Sequence, residues 1–519
     1  MSQPTRPREA RNLRDLLESR AAATPDRDFL IEAEGGRRRW SYAQFDATVN
    51  RVANFLAARG VRRGDAVSLL LPNGPEYVAA YFACFKLGAR AGPVNSLLKA
   101  EELAFVINNS KAKLLLYHSE FRETSAQCRP HFSTLRDADI FDSLEAATEG
   151  QPVEPHESWR QTALTRADEA IIIYTSGTTG KPKGCLLTHG NLLSNARQIV
   201  EWLGFTEADR LLTVMPLFHM NAVAVTTASA LYAGGSTVVA PRFSASRFWQ
   251  WVSDYEVTSF GSVATMLSML IARYPAGLPA GLRVDQLRFA LCGSAPVPAE
   301  VLKRFEETFH CLVVEGYGLS ESTCRSTFNP PDARRRPGSC GLPIGNEMKI
   351  FDEEDREVKV GVPGEIVLRG ENIFKGYFKN KEATERAFCG GWFHTGDIGH
   401  CDADGFFYIV DRKSDMIIRG GENIYPREID EVLYRHPAVA AAATVGVPDE
   451  LYGEDVVAFV VLRENAKASA AELLAHCRAH LADFKCPKTA RFVAELPQGP
   501  TGKVLKRELA RRYSAGIYS

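Results

Sequence analysis

Between residues 65 and 117 the chain alternates apolar runs of strand length with apolar residues at helical intervals, and that alternation restricts it to folds built on mainly parallel sheets. Residues 65–71, 91–94 and 113–117 read as strands, 76–87 and 100–107 as helices. Upstream, Leu13, Leu16 and Leu17 have helical spacing that ends at Thr24-Pro25-Asp26. Residues 29–31 and 40–42 read as strands about Gly35-Gly36, and 42–59 as a helix stopped by Gly60. Downstream the strand and helix patterns continue: 191–202 helix, 210–216 strand, 222–232 a helix of small residues, 236–240 strand. A helix over 246–254 carries Trp249 and Trp251, which are expected in the core. Residues 287–292 and 312–316 read as strands flanking an amphipathic helix over 299–309. Residues 126–165, rich in charge and broken by Pro130, Pro152 and Pro155, read as a surface connection.

From Gly338 the character changes to short strands and turns, at 348–352, 364–369 and 406–410, and residues 416–519 carry their own strand and helix patterns. The expected fold class is therefore α/β: a large N-terminal domain of α/β subdomains plus a β-rich subdomain, with a small mobile α+β C-terminal domain. A length of 519 residues with 45% hydrophobic side chains exceeds what one core sustains.

The stretch Tyr174-Thr175-Ser176-Gly177-Thr178-Thr179-Gly180-Lys181-Pro182-Lys183-Gly184 lies between two apolar runs, 170–173 and 185–187. It combines hydroxyls, glycines that let backbone N–H groups approach an anion, and two lysines, a phosphate-gripping composition. It is not a P-loop, because Pro182 follows Lys181 where that motif needs Ser or Thr opening a helix. A magnesium ligand must then come from elsewhere. A flexible surface turn is the bland alternative. The formal net charge of −1 and a pI near 6.8 give no general attraction to nucleic acid or anionic membranes, so any phosphate site is local.

Eleven cysteines, scattered and without a C-x-x-C pair, indicate neither zinc nor a disulfide framework. The Arg-rich start lacks an apolar leader core, Glu9, Asp15 and Glu18 argue against a transit peptide, and no apolar run reaches the ~18 residues of a membrane span. The cytoplasm is the expected compartment.

Other chemistry-bearing residues are weak signals singly. Glu321 is a solvated carboxylate or a magnesium ligand. Asp397, in Thr395-Gly396-Asp397, can accept from two ribose hydroxyls. Asp411-Arg412 is equally an ordinary surface ion pair, and Lys503, in Gly502-Lys503, a tail lysine.

Their order changes the weighing. The 174–184 string, then Gly316-Tyr317-Gly318-Leu319-Ser320-Glu321, Thr395-Gly396-Asp397, Asp411-Arg412, Gly420-Gly421-Glu422-Asn423 and Gly502-Lys503, resembles the adenylate-forming superfamily of acyl-CoA synthetases, peptide-synthetase adenylation domains and beetle luciferases. The resemblance spans nearly the whole chain. It implies an AMP-binding domain over 1–412, a hinge at Ser414 and a mobile domain over 413–519. The reaction implied has two halves: a carboxylate attacks the α-phosphate of ATP to give acyl-AMP and pyrophosphate, then the thiol of CoA expels AMP. Lys503, Glu321 with Mg²⁺, and His219 at the pocket entrance are the implied catalytic residues, although His219 is equally read as a structural histidine. ATP is implied to meet Thr175, Ser176, Gly177, Thr178, Thr179, Gly180 and Lys183 as a flap over the β- and γ-phosphates. Gly293, Ser294, Ala295, Glu315, Gly316, Tyr317 and Ser320 would frame adenine and the acyl pocket, with Asp397 and Arg412 on the ribose. CoA is implied to meet Gly420, Gly421, Glu422 and Phe484. Two positions depart from the pattern: Ser414, where relatives carry Asp or Lys, and Cys486, where a basic residue stands in some.

The expected partners are thus a small carboxylate and CoA, with no nucleic acid and no membrane span, and a homodimer left open. Loading of a carrier protein is the alternative to CoA ligation. An amino-acid substrate is disfavoured because His219, not Asp, follows Phe218, and Ile517-Tyr518-Ser519 is not a Ser-Lys-Leu peroxisomal address. Residues 213–219, 244–249, 410–413 and 419–423 resemble the crotonobetaine/carnitine-CoA ligase branch and medium-chain ligases, and a quaternary ammonium would want aromatic faces.

Overall fold

The computed structural model describes residues 10–136, 140–141, 144–175, 182–293, 298–499 and 504–518. Two seven-stranded sheets organise the first two-thirds of the chain. The first runs in the spatial order Val313–Glu315, Phe289–Cys292, Ser259–Ser262, Arg210–Thr213, Ser236–Val239, Asp28–Glu32, Arg39–Ser41. Every pair in it is parallel except the last. The central strands are buried on both faces, as parallel sheets covered by helices must be. One face packs into the main core and the other into a second cluster that holds Trp249 and Trp251, so both tryptophans are core residues, as expected.

The second sheet places Ala66–Leu70 between Arg90–Pro93 and Ala112–Tyr117, all parallel. The strands Glu169–Thr175 and Lys183–Thr188 extend it as an antiparallel pair with Thr175 opposite Lys183, and Gly376–Tyr377 closes its edge. The 174–184 stretch thus connects two strands, as the flanking apolar runs predict. Glu347–Phe351, Gly364–Arg369, Trp392–Cys401 and Phe407–Arg412 form the β-rich subdomain, antiparallel throughout.

Beyond it, Val439–Asp449 and Gly453–Leu462 centre a five-stranded sheet with helices Pro426–Tyr434, Ala470–His480 and Lys506–Ser514. The chain therefore has a large N-terminal α/β domain and a smaller C-terminal α+β domain. No apolar cluster among the described residues draws side chains from both sides of Lys413.

Three local expectations need correction. Residues 126–165 are not a bare surface connection: Ile140–Phe141 pairs with the second sheet, and Leu144 and Trp159 are buried, the indole N–H donating to Asn54 Oδ1 at 2.8 Å. Few apolar anchors in a polar segment leave no periodicity to read. Tyr42 belongs to a helix rather than a strand, because Ser41 and Gln44 form a reciprocal cap ahead of Tyr42–Ala58. The small-residue helix begins as a π-helix, Asn221–Ala228, before Ser229–Ala233, with Thr227 and Ser229 hydroxyls bonding carbonyls five residues back. Such wide turns occur often at functional sites.

Candidate active site

In the first sheet, Arg210–Thr213 is followed by a strand on one side, Ser236–Val239, and then by Ser259–Ser262 on the other. Ligands of open α/β sheets gather at the carboxyl ends where the order reverses in this way. A cavity of about 250 Å³ lies to one side of that point, at the carboxyl ends of Ser259–Ser262, Phe289–Cys292 and Val313–Glu315. Gly293, Glu315, Gly316 and Tyr317 line it from strand ends, Asp397 and Arg412 from the β-rich subdomain, and Arg427, Asp430 and Lys506 from the C-terminal domain.

The strand Trp392–Cys401 pairs with Phe407–Arg412 so that Asp397 stands opposite Arg412. Arg412 Nε donates to Asp397 Oδ1 at 3.0 Å, and the Tyr317 hydroxyl donates to Asp397 Oδ2 at 2.7 Å. Burial, reinforced by the Asp397 carboxylate, drives the Tyr317 phenol well above its ordinary range. Burial acts to lower the Arg412 guanidinium, but Asp397, Tyr317, Asp415 and Glu321 together hold the group above its usual value. Arg412 is thus not partnered with Asp411, whose carboxylate accepts the backbone N–H groups of Arg412 and Arg427.

Glu321 sits in the turn Ser320–Ser322, 8% exposed, and Tyr377 donates to its Oε1 at 2.9 Å. Burial raises the Glu321 carboxyl, against the lowering effect of Tyr377. Lys183 Nζ lies over the Tyr377 ring, 5.1 Å from its centre. The start of the second strand of the 174–184 stretch and Glu321 therefore meet through Tyr377.

These features coincide with a family. The AMP-binding enzyme family model matches residues 17–378, and the AMP-binding enzyme C-terminal domain matches residues 428–503. The chain belongs to the AMP-binding enzymes. It is similar to a sulfoacetate–CoA ligase of Cupriavidus necator, 37% identical over 98% of this chain and 99% of that protein. An oxalate–CoA ligase of Arabidopsis thaliana is 35% identical over 96% and 98%. Among solved structures, ATP-bound MatB from Rhodopseudomonas palustris superposes with a TM-score of 0.89 at 30% identity, covering 98% of this chain and 99% of that one. The o-succinylbenzoate coenzyme A synthetase (MenE) from Bacillus subtilis, in complex with ATP and magnesium ion, gives 0.83 at 33% identity over 95% and 98%. This AMP-binding enzyme is accordingly of the adenylate-forming, acyl-CoA ligase class.

In the AMP-binding enzyme, Ser176, Gly177, Thr178, Thr179, Gly180, Ser294, Ala295 and Lys503 lie outside the described residues. Thr175, half-buried, ends the strand Glu169–Thr175, and Val504 and Lys506, just beyond Lys503, line the cavity. Glu315 is buried at the end of its strand and accepts from Gly338 N at 3.0 Å; burial holds its carboxyl up at about 8. His219 follows the Arg210–Thr213 strand, its ring 4.9 Å from that of Phe218. Its Nε2 is buried without a hydrogen-bond partner among the described residues, and burial lowers the imidazole to about 4.

Ser414 is exposed and donates to Asp415 Oδ1 at 3.1 Å. Gly420 and Gly421, at φ 60° and 89°, turn the chain between Ile417–Arg419 and Glu422–Ile424. Arg419 Nη1 donates to the Phe484 carbonyl at 3.0 Å, so Gly420, Gly421, Glu422 and Phe484 share one surface region, and none of them lines the cavity.

Sequence reasoning missed Tyr377 and the Lys506–Asp430 ion pair at 3.2 Å, which faces the cavity. Burial acts to lower the Lys506 ammonium, but Asp430 and Asp411 hold it above its usual range. The one available signal was the closeness of Lys506 to Lys503 in the chain.

Gly318 is required sterically. A Cβ there would stand 2.0 Å from the Cys324 carbonyl oxygen and 2.7 Å from its carbon, backbone atoms that cannot swing aside. Gly318→Ala is expected to destabilise the fold by about 3 kcal/mol, read from the chemical denaturation midpoint.

Proposed function

We propose that the chain is an ATP-dependent acid–thiol ligase that converts a carboxylic acid to acyl-AMP and pyrophosphate and then, with CoA, to acyl-CoA and AMP. The observation that carries this reading is the Tyr317–Asp397–Arg412 constellation at 2.7 and 3.0 Å on the wall of the cavity that Lys506 also lines. Asp397 has the acceptors for ribose hydroxyls, while Tyr317 and Arg412 keep it oriented. Gly293 and Gly316 line the same cavity at the strand ends.

The donor chemistry at Glu321 fits a hard divalent cation. The carboxylate is buried, one oxygen is held by Tyr377, and Arg412 acts on it only at a distance because it is paired with Asp397. Magnesium bound there supplies positive charge beside the phosphates. Lys183, with the 176–180 segment, is assigned to the β- and γ-phosphates, and Lys503 to the α-phosphate. His219, kept neutral by burial, fits an uncharged wall at the pocket entrance. The separation of apolar clusters about Lys413 supports a division into 1–412 and 413–519 that swivels near Ser414, carrying Gly420, Gly421, Glu422 and Phe484 toward the cavity for the CoA step.

The acids named for the relatives above, sulfoacetate and oxalate, are small, and we take a small carboxylate as the substrate. The crotonobetaine/carnitine reading gains nothing from Trp249 and Trp251, which are packed in the core and absent from the cavity lining. Among the described residues, no helix is long and apolar enough to cross a membrane.

A carboxylate panel followed by pyrophosphate release, with and without CoA, tests the reading. CoA-stimulated release and an acyl-CoA mass are expected. Acyl-AMP that accumulates untouched by CoA would instead indicate carrier loading.

A further inference from the structure

Arg325 is only 1% exposed, and neither its Nε nor its Nη2 has a hydrogen-bond partner among the described residues. Its guanidinium has the Phe328 ring at 5.4 Å, which replaces part of the solvation it lost and none of the hydrogen bonds. The position is not adventitious: Asn195 brackets the Arg325 backbone, accepting from its N–H at 3.2 Å and donating to its carbonyl at 2.6 Å. A buried, unpaired charge is strongly unfavourable, so a folded chain that keeps one needs a compensating group.

The surroundings say where that group sits. A Cβ on Gly293 would fall 2.7 Å from Arg325 Nη2 and 2.8 Å from Nη1, so the guanidinium occupies the space this glycine leaves, and Gly293 lines the cavity. Gly261 pairs with Leu291, and Leu291 and Gly293 alternate onto the same side of the strand, so Gly261 and Gly293 open the same face of the sheet. Under Gly261 a Cβ would fall 2.7 Å from Asn221 Oδ1. Asn221 is 4% exposed, and neither atom of its carboxamide has a partner among the described residues. Two glycines on one sheet face thus make room for two polar heads, a cation and an amide, both with unspent hydrogen-bonding capacity.

We propose that Arg325, together with Asn221, binds a second anionic group at the far end of the acid, a carboxylate or a sulfonate, so that the preferred substrates are short acids with two anionic ends. The inference rests on the acyl-CoA ligase reading above. A guanidinium fork matches the paired oxygens of either anion, and the Asn221 N–H₂ adds a third donor. The acid is short because Gly293 belongs both to the cavity wall and to the surroundings of Arg325, so little span separates the two. The second anion also discriminates: a methyl-ended acid of the same length leaves the buried guanidinium uncompensated.

The test uses matched acids on the full-length protein: butyrate, succinate and 3-sulfopropanoate, and propionate against malonate, each read as kcat/KM for CoA-dependent pyrophosphate release. Wild type is expected to prefer a two-anion member at least ~10-fold over its methyl-ended partner, and the carboxylate and sulfonate arms identify which anion. Arg325→Met is expected to lower that member at least ~100-fold while leaving the methyl-ended acid unchanged or improved, with Arg325→Lys in between. Should Arg325→Met not fold, Asn221→Ala, with a selective loss of ~10-fold, and the wild-type ratios carry the test. Preference for the methyl-ended acid in every pair, or equal losses for both members in the variants, overturns the assignment and leaves the ligase reading standing. Absence of acyl-CoA from every acid overturns both.

Discussion

Lys503→Ala is expected to slow adenylation by ~10²- to 10³-fold and to leave the attack of CoA on supplied acyl-AMP little changed. The first half-reaction brings a carboxylate against a phosphate, so negative charge accumulates where both reactants are already anionic. The described cations of the cavity wall are engaged elsewhere: Arg412 with Asp397, Lys506 with Asp430 and Arg427 with Glu431. None of the three is spare to follow the charge that grows on the α-phosphate. Just beyond Lys503 in the chain, Val504 and Lys506 line the cavity. In the second half the charge instead leaves with AMP, and a cation on the α-phosphate is less needed. ATP–pyrophosphate exchange measures the first half and single-turnover thioester formation from acyl-AMP the second. If both fell together, Lys503 would be a structural residue or a general binding residue, not an adenylation group.

Much of the fold was legible because strands and helices announce themselves locally. The strands at 66–70 and 112–117 and the helices at 75–87 and 299–309 stand within a residue or two of their sequence signals. The order of strands within each sheet was not legible, since pairing joins residues hundreds of positions apart and local pattern says nothing of it. The same limit governs the site. Asp397 and Arg412 are visible as motif residues, but their partnership follows from strand register. Asp411 and Arg412 are neighbours on one strand, so their side chains point to opposite faces, and the sequence pair was never available as an ion pair across one face. Arg325 lies in Ser322-Thr323-Cys324-Arg325-Ser326, a polar string that reads as surface, yet every residue of it is buried. Its burial owes much to the approach of the 289–293, 195 and 372 regions, and that approach is long-range. Tyr377 sits on a two-residue edge strand whose one pattern signal is a glycine beside an aromatic.

Glu321→Gln is expected to lower adenylation by ~10²-fold or more, with the magnesium concentration for half-maximal rate displaced upward. The substitution is chosen because it isolates charge. Glutamine keeps the length of the side chain and an oxygen able to accept from Tyr377, now 2.9 Å from Glu321 Oε1, so the turn Ser320–Ser322 and the Phe374 N–H bond to the Glu321 carbonyl at 2.7 Å have no reason to change. Tyr377→Phe makes the complementary change: the carboxylate remains and its held oxygen is released. Loss of one hydrogen bond to a charged group is worth ~2 kcal/mol, so a drop of ~30-fold is expected with the charge-dependent response to magnesium retained. The pair of variants separates two roles that look alike in the structure. If Glu321 serves chiefly to anchor Tyr377, and through its ring the Lys183 ammonium 5.1 Å away, Glu321→Gln should be nearly as active as wild type and Tyr377→Phe the more damaged enzyme. If Glu321 supplies charge to a cation beside the phosphates, the ranking is reversed.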